Sequence, residues 1–267
     1  MVNTTKIEIL NQLKDSTLWH SGEQISREMG ISRVAVWKQI KSLSEQGYPI
    51  ESSPRGYRII QEKDTLSALE FKPDSGILYY DELNSTMNEA QLQIIRQPGE
   101  VKNFLILADH QSGGVGRDQQ SWDSPSGGIY LTFVTRNVFD RKEVPLMKKR
   151  GILTVLKTLA ELKIPDLSYS PAGDLFLGKK KGAGVLEEYQ VRGNKVQWFA
   201  LGLGLHLNDS PEKTDTMTSV LKHSGKIFHR ADIVRILKKN WESSLTLKAA
   251  RVEEQLGDYP QRHSPVE

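Results

Sequence analysis

The chain has 267 residues, with 36 Lys and Arg against 33 Asp and Glu for a formal net charge of +3. That length holds one large or two ordinary domains with real interiors, and the mild basicity permits a nucleic-acid partner without demanding one. Zero cysteines exclude disulfides and cysteine-ligated metals, and the opening MVNTTKIEILNQL has neither the basic flank nor the apolar stretch of an export signal. With no run approaching the length of a membrane span, a reducing cytoplasmic location and no membrane partner are expected.

Ile7, Ile9, Leu10 and Leu13 recur at helical spacing and predict a first helix over residues 6–14. Ser21-Gly22-Glu23-Gln24 has the capping-box pattern ahead of Ile25 and Met29, and Gly30 closes that helix. Ser32 is placed to cap a third helix through Val34, Val36, Trp37, Ile40 and Leu43, ending near Gly47. Two short capped helices joined by a glycine turn predict a helix-turn-helix, and strand-like residues 48–51 and 56–60 around Ser53-Pro54-Arg55 predict a wing. Its outward helix face is assigned Ser32, Arg33, Ala35, Lys38, Gln39 and Lys41, with Glu23, Glu28 and Glu45 turned away. Small and basic residues there suit a major groove and its phosphates, which makes Ser32, Arg33, Ala35, Lys38 and the wing's Arg55 the DNA-binding candidates. An ordinary solvated helical face is the other reading; caps, basic face and wing together outweigh it. Residues 61–68 break the periodicity and read as a linker, so domains are placed at 1–62 and 69–248 with a C-terminal tail at 249–267.

In the larger domain, residues 76–80 read as a strand leading into a helix that Ser85 or Asn84 can cap and that runs to about Arg96. This aims a helix N-terminus and two hydroxyls at the strand end, although a plain cap is the favoured reading for the segment by itself. A second strand, 104–108, runs straight into ADHQSGGVGRDQQSWDSPSGGIYLT, residues 108–132. Glycines let that backbone approach a ligand and Arg117 offers a fixed fork of donors, so the chemistry is that of an anion-binding loop. A hairpin connection with a solvated arginine remains the alternative, and neither nucleotide fingerprint, G-x-x-x-x-G-K-[ST] or a helix-opening G-x-G-x-x-G, is present.

A strand at 128–135, a helix at 148–162 and strands at 167–170 and 174–177 around Pro171-Ala172-Gly173 come next. Lys179-Lys180-Lys181 then lead into GAGVLEE, read either as a solvated charge run or as a lysine projected at an anion, with Ala183 and Gly184 leaving room for the ligand. An apolar strand at 196–205 carries Gly202 and Gly204, which open space for a neighbouring group, and an amphipathic helix spans 230–245.

Together these pieces resemble the biotin protein ligases, in the bifunctional form that carries an N-terminal winged helix-turn-helix and doubles as a biotin-operon repressor. The resemblance covers residues 6–245 and rests on order and spacing: Ser85-Thr86 after a strand, a glycine-arginine loop from Gln111 to Pro125, Lys181-Gly182-Ala183-Gly184-Val185-Leu186 with Glu188, then Gly202-Leu203-Gly204. It implies an α+β fold in which the winged head precedes a class II synthetase-like biotin/lipoate ligase domain, a mixed central sheet flanked by helices. It also implies two steps. Biotin and ATP, with Mg, give biotinyl-5'-adenylate and pyrophosphate; a lysine of a biotin-accepting carboxylase domain then takes the biotinyl group.

By that resemblance Lys181 and Arg117 are the catalytic cations, Ser85, Thr86 and Gln111 hydrogen-bond the biotin ring, and Trp122 lies beside the adenine. Gly113, Gly114, Val115 and Gly116 form the loop around the ligand, and Asp174, Gly184, Val185, Gly202 and Gly204 complete the substrate site. Two anions must be brought together, so cations and amides have to stabilise the transferring centre. No protein-held metal is expected; operator DNA, the acceptor domain and a second copy in a ligand-promoted dimer are the implied partners.

The sequence departs from the family where that chemistry sits. The usual GRGRRGR reads Gly114-Val115-Gly116-Arg117-Asp118-Gln119-Gln120, keeping one arginine of four, and KWPND reads Ser170-Pro171-Ala172-Gly173-Asp174. His206 stands where an asparagine is usual and is expected at the surface or the edge of the core without a role. Residues 246–267 are expected to form a charged helical extension and a polar tail in place of the family's small C-terminal barrel. Two functions follow: an active ligase that also represses, favoured by Arg117 and Lys181, and a ligand-responsive DNA-binding regulator with impaired adenylation. A lipoyl or octanoyl transferase is disfavoured, because that group does not normally carry the DNA-binding head.

Overall fold

The structure, a computed structural model, describes residues 4–14, 18–60, 64–98, 102–212 and 215–262. It divides into two units, residues 1–75 and 76–267.

The first unit contains α1 (Thr4–Lys14), α2 (Gly22–Met29), α3 (Arg33–Glu45) and a hairpin of β1 (Ile50–Ser53) and β2 (Gly56–Ile59). The caps are those the sequence calls for. The Ser21 hydroxyl accepts the Gln24 N–H at 3.0 Å, Gly30 takes the left-handed conformation that ends α2, and the Ser32 hydroxyl accepts the Ala35 N–H at 3.2 Å. Ile9, Leu10, Ile25, Val36, Ile40 and Leu43 close the core. Val34 and Trp37, expected on that apolar face, are exposed instead. At 100° per residue, the Val36, Ile40 and Leu43 positions define the buried stripe, and Val34 and Trp37 lie about 160° and about 100° round the helix from Val36.

The supposed linker is part of this unit. Ser67 caps a short 3-10 turn at Ala68–Glu70, which puts Leu69 in the core. The buried Glu70 carboxylate takes the Lys14 ammonium at 2.7 Å and the Tyr48 hydroxyl at 2.7 Å, so the turn is tied to both α1 and the start of the wing. The first unit therefore ends at Ser75 rather than residue 62, and the second begins at 76 rather than 69. Residues 61–63 lie outside the described set.

The second unit is built on one mixed sheet in the order β3-β4-β5-β10-β9-β8-β7. Its strands are β3 (Ile77–Leu83), β4 (Phe104–Gln111), β5 (Ile129–Thr135), β7 (Leu167–Tyr169), β8 (Asp174–Leu177), β9 (Lys180–Arg192) and β10 (Lys195–Leu205), with β6 (Phe139–Asp140) paired to β10. Only β3 and β4 run parallel, because α4 (Thr86–Arg96) makes the crossover between them; every other pairing is antiparallel. Alternation along β10 sends Ala200 into the cluster under α4 and Leu201 against Gly151 of α5 (Val144–Glu161), so helices cover both faces of the sheet. The short α6 (Val220–Ser224) precedes α7 (Arg230–Leu245), which packs on α5.

The expected C-terminal tail is folded onto the body as far as residue 262. An eighth helix, α8 (Ala249–Leu256), buries Val252 and Leu256 against α5, with Lys149 and Glu253 pairing at 2.5 Å. The chain then bridges the sheet edge: the Arg262 N–H donates to the Tyr169 carbonyl at 2.8 Å and the Tyr169 N–H to the Pro260 carbonyl at 3.2 Å. The helix itself is the one expected of this stretch; its buried apolar stripe is what packs it onto the body. No helix among the described residues is long and apolar enough to cross a membrane.

Candidate functional site

Parallel pairing of β3 with β4 sets Leu83 opposite Gln111 and so brings the start of α4 to the end of β4. The Thr86 N–H, one of the free amides of that helix, donates to Gln111 Oε1 at 2.8 Å, and Gln111 Nε2 donates to the Ser124 hydroxyl at 2.9 Å. From β5 the buried Thr132 hydroxyl donates to the Thr86 hydroxyl at 3.0 Å. Ser85 is the N-cap residue but makes no capping bond with its side chain, and the first amide of the helix, that of Thr86, goes to the glutamine instead. These residues form the polar end of a pocket whose apolar wall is Met87, Val185, Leu186 and Leu203.

The glycine-arginine loop closes over the pocket. Gly113 and Gly114 do not line it, contrary to expectation: a Cβ on Gly113 would lie 2.0 Å from Asn84 Oδ1 and one on Gly114 2.5 Å from the Trp122 carbonyl oxygen. Their lack of a side chain serves the folding of the loop on itself, and it is Val115, Gly116 and Arg117 that face inward. Asp118 and Gln119 then turn the chain back through left-handed conformations at φ 54° and 62°, unusual for two successive residues with side chains. Gln119→Val is expected to lower the thermal unfolding midpoint of the second unit by about 2–4 °C, because a β-branched residue resists φ > 0, whereas Gln119→Gly leaves it no lower. Differential scanning fluorimetry on the pair checks this.

At the mouth, two cations share one carboxylate. Arg117 Nη2 lies 2.6 Å from Asp174 Oδ2 and Lys181 Nζ lies 2.6 Å from Asp174 Oδ1. The carboxylate is itself almost wholly buried, and the Asp174 N–H donates to the Ser170 hydroxyl at 3.1 Å. Ser170 thus supports the aspartate from the position where the family pattern has a lysine. Of the three consecutive lysines, Lys181 alone lines the pocket, its ammonium also lying 5.1 Å from the centre of the Trp122 ring.

Trp122 lies flat over the two glycine-bearing strands. A Cβ at Gly204 would sit 2.4 Å from its ring, so the indole requires that glycine, and one at Gly184, 3.2 Å away, would crowd it. Behind it is His206, stacked on Trp122 with ring centres 5.3 Å apart and planes 17° from parallel. His206 is fully buried, not at the surface or the core edge as expected, because Asp209 Oδ2 accepts from its Nδ1 at 2.5 Å. Trp122 Nε1 and His206 Nε2 are buried and find no hydrogen-bond partner among the described residues. The space left within this lining is small, about 50 Å³. The far end of the loop is anchored by Tyr130, whose hydroxyl donates to the Pro125 carbonyl at 2.8 Å. Burial pushes that phenol well above its usual range and keeps it a donor.

The pocket therefore brings together Ser85, Thr86, Gln111, Val115, Gly116, Arg117, Trp122, Asp174, Lys181, Gly184, Val185, Gly202 and Gly204, and leaves out Gly113 and Gly114. Sequence reasoning missed Met87, Thr132, Leu186 and Leu203. Thr132 could have been found, since it is a polar residue inside the otherwise apolar run IYLTF. No group of three or more histidines and carboxylates placed to hold a metal occurs among the described residues.

On the first unit, Arg33, Lys38 and Arg55 are exposed, Ala35 is half-buried, and the Ser32 hydroxyl is occupied as a cap. Glu23, expected on a face turned away, lies 3.6 Å from Arg33. The wing is clipped to the start of α2 by a pair of backbone bonds between His20 and Tyr57, each 2.9 Å, and Arg58 lies over the Trp19 ring at 4.6 Å.

Residues 80–206 match the Biotin/lipoate A/B protein ligase family, and residues 5–58 match a family described as HTH domain. The ligase-family match falls wholly within the second unit and the HTH match within the first. Among similar proteins, the bifunctional ligase/repressor BirA of Bacillus subtilis is 28% identical over 243 residues, covering 86% of this chain and 74% of that protein. BirA of Escherichia coli is 26% identical over 215 residues, 77% of this chain and 64% of that one. Solved ligase structures share the fold. The Leishmania major biotin protein ligase in complex with biotin superposes with a TM-score of 0.60 at 19% identity, over 72% of this chain and 86% of that chain. The Aquifex aeolicus enzyme in complex with biotin and ATP gives 0.54 at 23% identity, over 68% and 77%. Along the chain the HTH match precedes the ligase match.

Proposed function

We propose that the chain is a biotin protein ligase acting through biotinyl-5'-adenylate, and that its winged head makes it a biotin-responsive repressor of transcription. The observation that carries this is the convergence of Arg117 and Lys181 on Asp174 at the mouth of a pocket with a hydroxyl-lined end and an apolar wall. Ser85, Thr86, Gln111 and Thr132 supply donors and acceptors for a polar ring, and Met87 and Leu186 an apolar surface for a hydrocarbon chain. The carboxylate at the end of that chain then falls to Lys181 and Arg117. A carboxylate oxygen attacks the α-phosphorus of ATP, the new O–P bond forms and pyrophosphate leaves, with magnesium accompanying the nucleotide. The ε-amine of the acceptor lysine next attacks the acyl carbon, giving up a proton as AMP departs. Cations preset around the transferring centre offset the repulsion between two anions without reorganising at the moment of reaction. Asp174 holds both in place until the anions arrive.

Operator DNA, a biotin-accepting carboxylase domain and a second copy of the chain are the partners this function requires, in the cytoplasm. A ligand-responsive regulator without turnover is the second reading, favoured by Asp118, which puts a carboxylate beside Arg117 in the loop, and by the closely seated Trp122. Exchange of labelled pyrophosphate into ATP separates the two. Exchange that rises with added biotin supports the ligase; biotin binding by calorimetry with no biotin-dependent exchange overturns it and leaves the regulator.

A further inference from the structure

The face of α3 opposite the core is a stripe of Arg33, Val34, Trp37, Lys38 and Lys41, set at the three- and four-residue spacing that aligns side chains along a helix. Val34 is 63% exposed and Trp37 51%, although neither is a residue that a solvated helical face needs. They lie one turn apart and form a small apolar strip flanked on the helix by Arg33, Lys38 and Lys41, the last with its ammonium 5.6 Å over the Trp37 ring. Glu23, 3.6 Å from Arg33, and Glu45, 3.9 Å from Lys41, are acids beside the strip. A groove lined by Gly22, Val34, Trp37, Pro54 and Tyr57 runs from it to the wing.

Charge decides what such a strip fits. Protein interfaces thin out lysine at their apolar centres, whereas an apolar strip with an excess of lysine and arginine along it matches a polyanion that carries apolar groups in its groove. The major groove of DNA is that surface, and the C5 methyl of thymine is the apolar group on its base edges. Residues at the start of a recognition helix reach those edges, and Val34 is the second residue of α3.

We propose that Val34 and Trp37 read thymine methyl groups, so that the head selects its site by apolar contact while Arg33, Lys38 and Arg55 take phosphates. The inference rests on the DNA-binding part of the function above. The full chain is used to recover duplexes from a random-sequence library at about 0.15 M salt, and the best duplex is remade with deoxyuridine replacing each thymine in turn, which removes only the methyl. At least one position per half-site is expected to lose about fourfold in affinity for each methyl read. Val34→Ala and Trp37→Ala, both at exposed positions and with unchanged unfolding midpoints, bind more weakly and no longer distinguish thymine from deoxyuridine; Val34→Thr, of similar shape, keeps part of the distinction. Arg33→Ala with Lys38→Ala weakens both duplexes equally and flattens the salt dependence. Recovery of a duplex whose affinity is indifferent to deoxyuridine at every position, or alanine variants that keep the thymine preference, overturns this inference and leaves DNA binding standing. Recovery of no duplex overturns both.

Discussion

Lys181→Ala is expected to lower biotin-dependent pyrophosphate exchange by about 10²–10³-fold, the loss typical when one preorganised group that stabilises developing charge is removed. The side chain is 29% exposed and its ammonium meets a carboxylate that Arg117 also holds at 2.6 Å, so the variant keeps a paired Asp174 and folds normally. Biotin affinity should fall far less than exchange, because the ring-binding residues on α4, β4 and β5 are untouched. Arg117→Ala gives a loss of the same order and in addition frees the loop from Asp174, which a rise in proteolytic nicking between residues 113 and 121 reports. Lys181→Arg does not restore the rate: a planar fork cannot occupy the position of a compact ammonium held between Asp174 and the Trp122 ring. Exchange by Lys181→Ala within threefold of the native protein would sink the assignment of this lysine.

That Lys181 rather than Lys179 or Lys180 is the one to change could not be read from charge alone, since three consecutive lysines look like a solvated turn. The motif order singled it out, and the β8–β9 pairing with its register shift shows why the geometry agrees, setting Lys181 beside the strand that carries Asp174. Gly202 and Gly204 were legible for a local reason. An apolar strand that gives up two side chains on one face must admit something there, and Met87 Cε and the Trp122 indole are what it admits. Gly113 and Gly114 show the limit of the same argument, because a glycine needed for a loop's own packing is indistinguishable in sequence from one needed by a ligand.

Other features were hidden because they depend on distant partners. Glu70 looks like part of the second domain until Lys14 and Tyr48 are found beside it, and His206 looks peripheral until Trp122 and Asp209 enclose it. The V-A-V-W run of α3 fits two helical stripes, and only the packing of the head selects Val36 for the core and turns Val34 and Trp37 outward.

Gly56→Ala is expected to unfold the wing, and with it to abolish DNA binding. Gly56 has φ +123°, outside the range that side chains adopt readily, and a Cβ there would lie 2.0 Å from the His20 carbonyl oxygen and 2.7 Å from Ser21 Cα. Both are backbone atoms of the segment that starts α2, so no rotamer change relieves the clash. The chain can accept the methyl only by parting the His20–Tyr57 bridge, which loses two hydrogen bonds of 2.9 Å and loosens the Ser21 cap next to it. Backbone strain together with two lost bonds amounts to about 3 kcal/mol or more. For a unit of this size that is a large share of a total of about 4–11 kcal/mol. The expected result is an early unfolding transition for the head, with pyrophosphate exchange retained because every residue assigned to it lies in the second unit. Two-probe thermal melts separate the transitions, and the tryptophans divide usefully for the purpose, Trp19 and Trp37 in the head against Trp122, Trp198 and Trp241 in the ligase unit. A Gly56→Ala protein that melts as the native one does would show that the wing accommodates a side chain at this turn and that the bridge to His20 is not what fixes it.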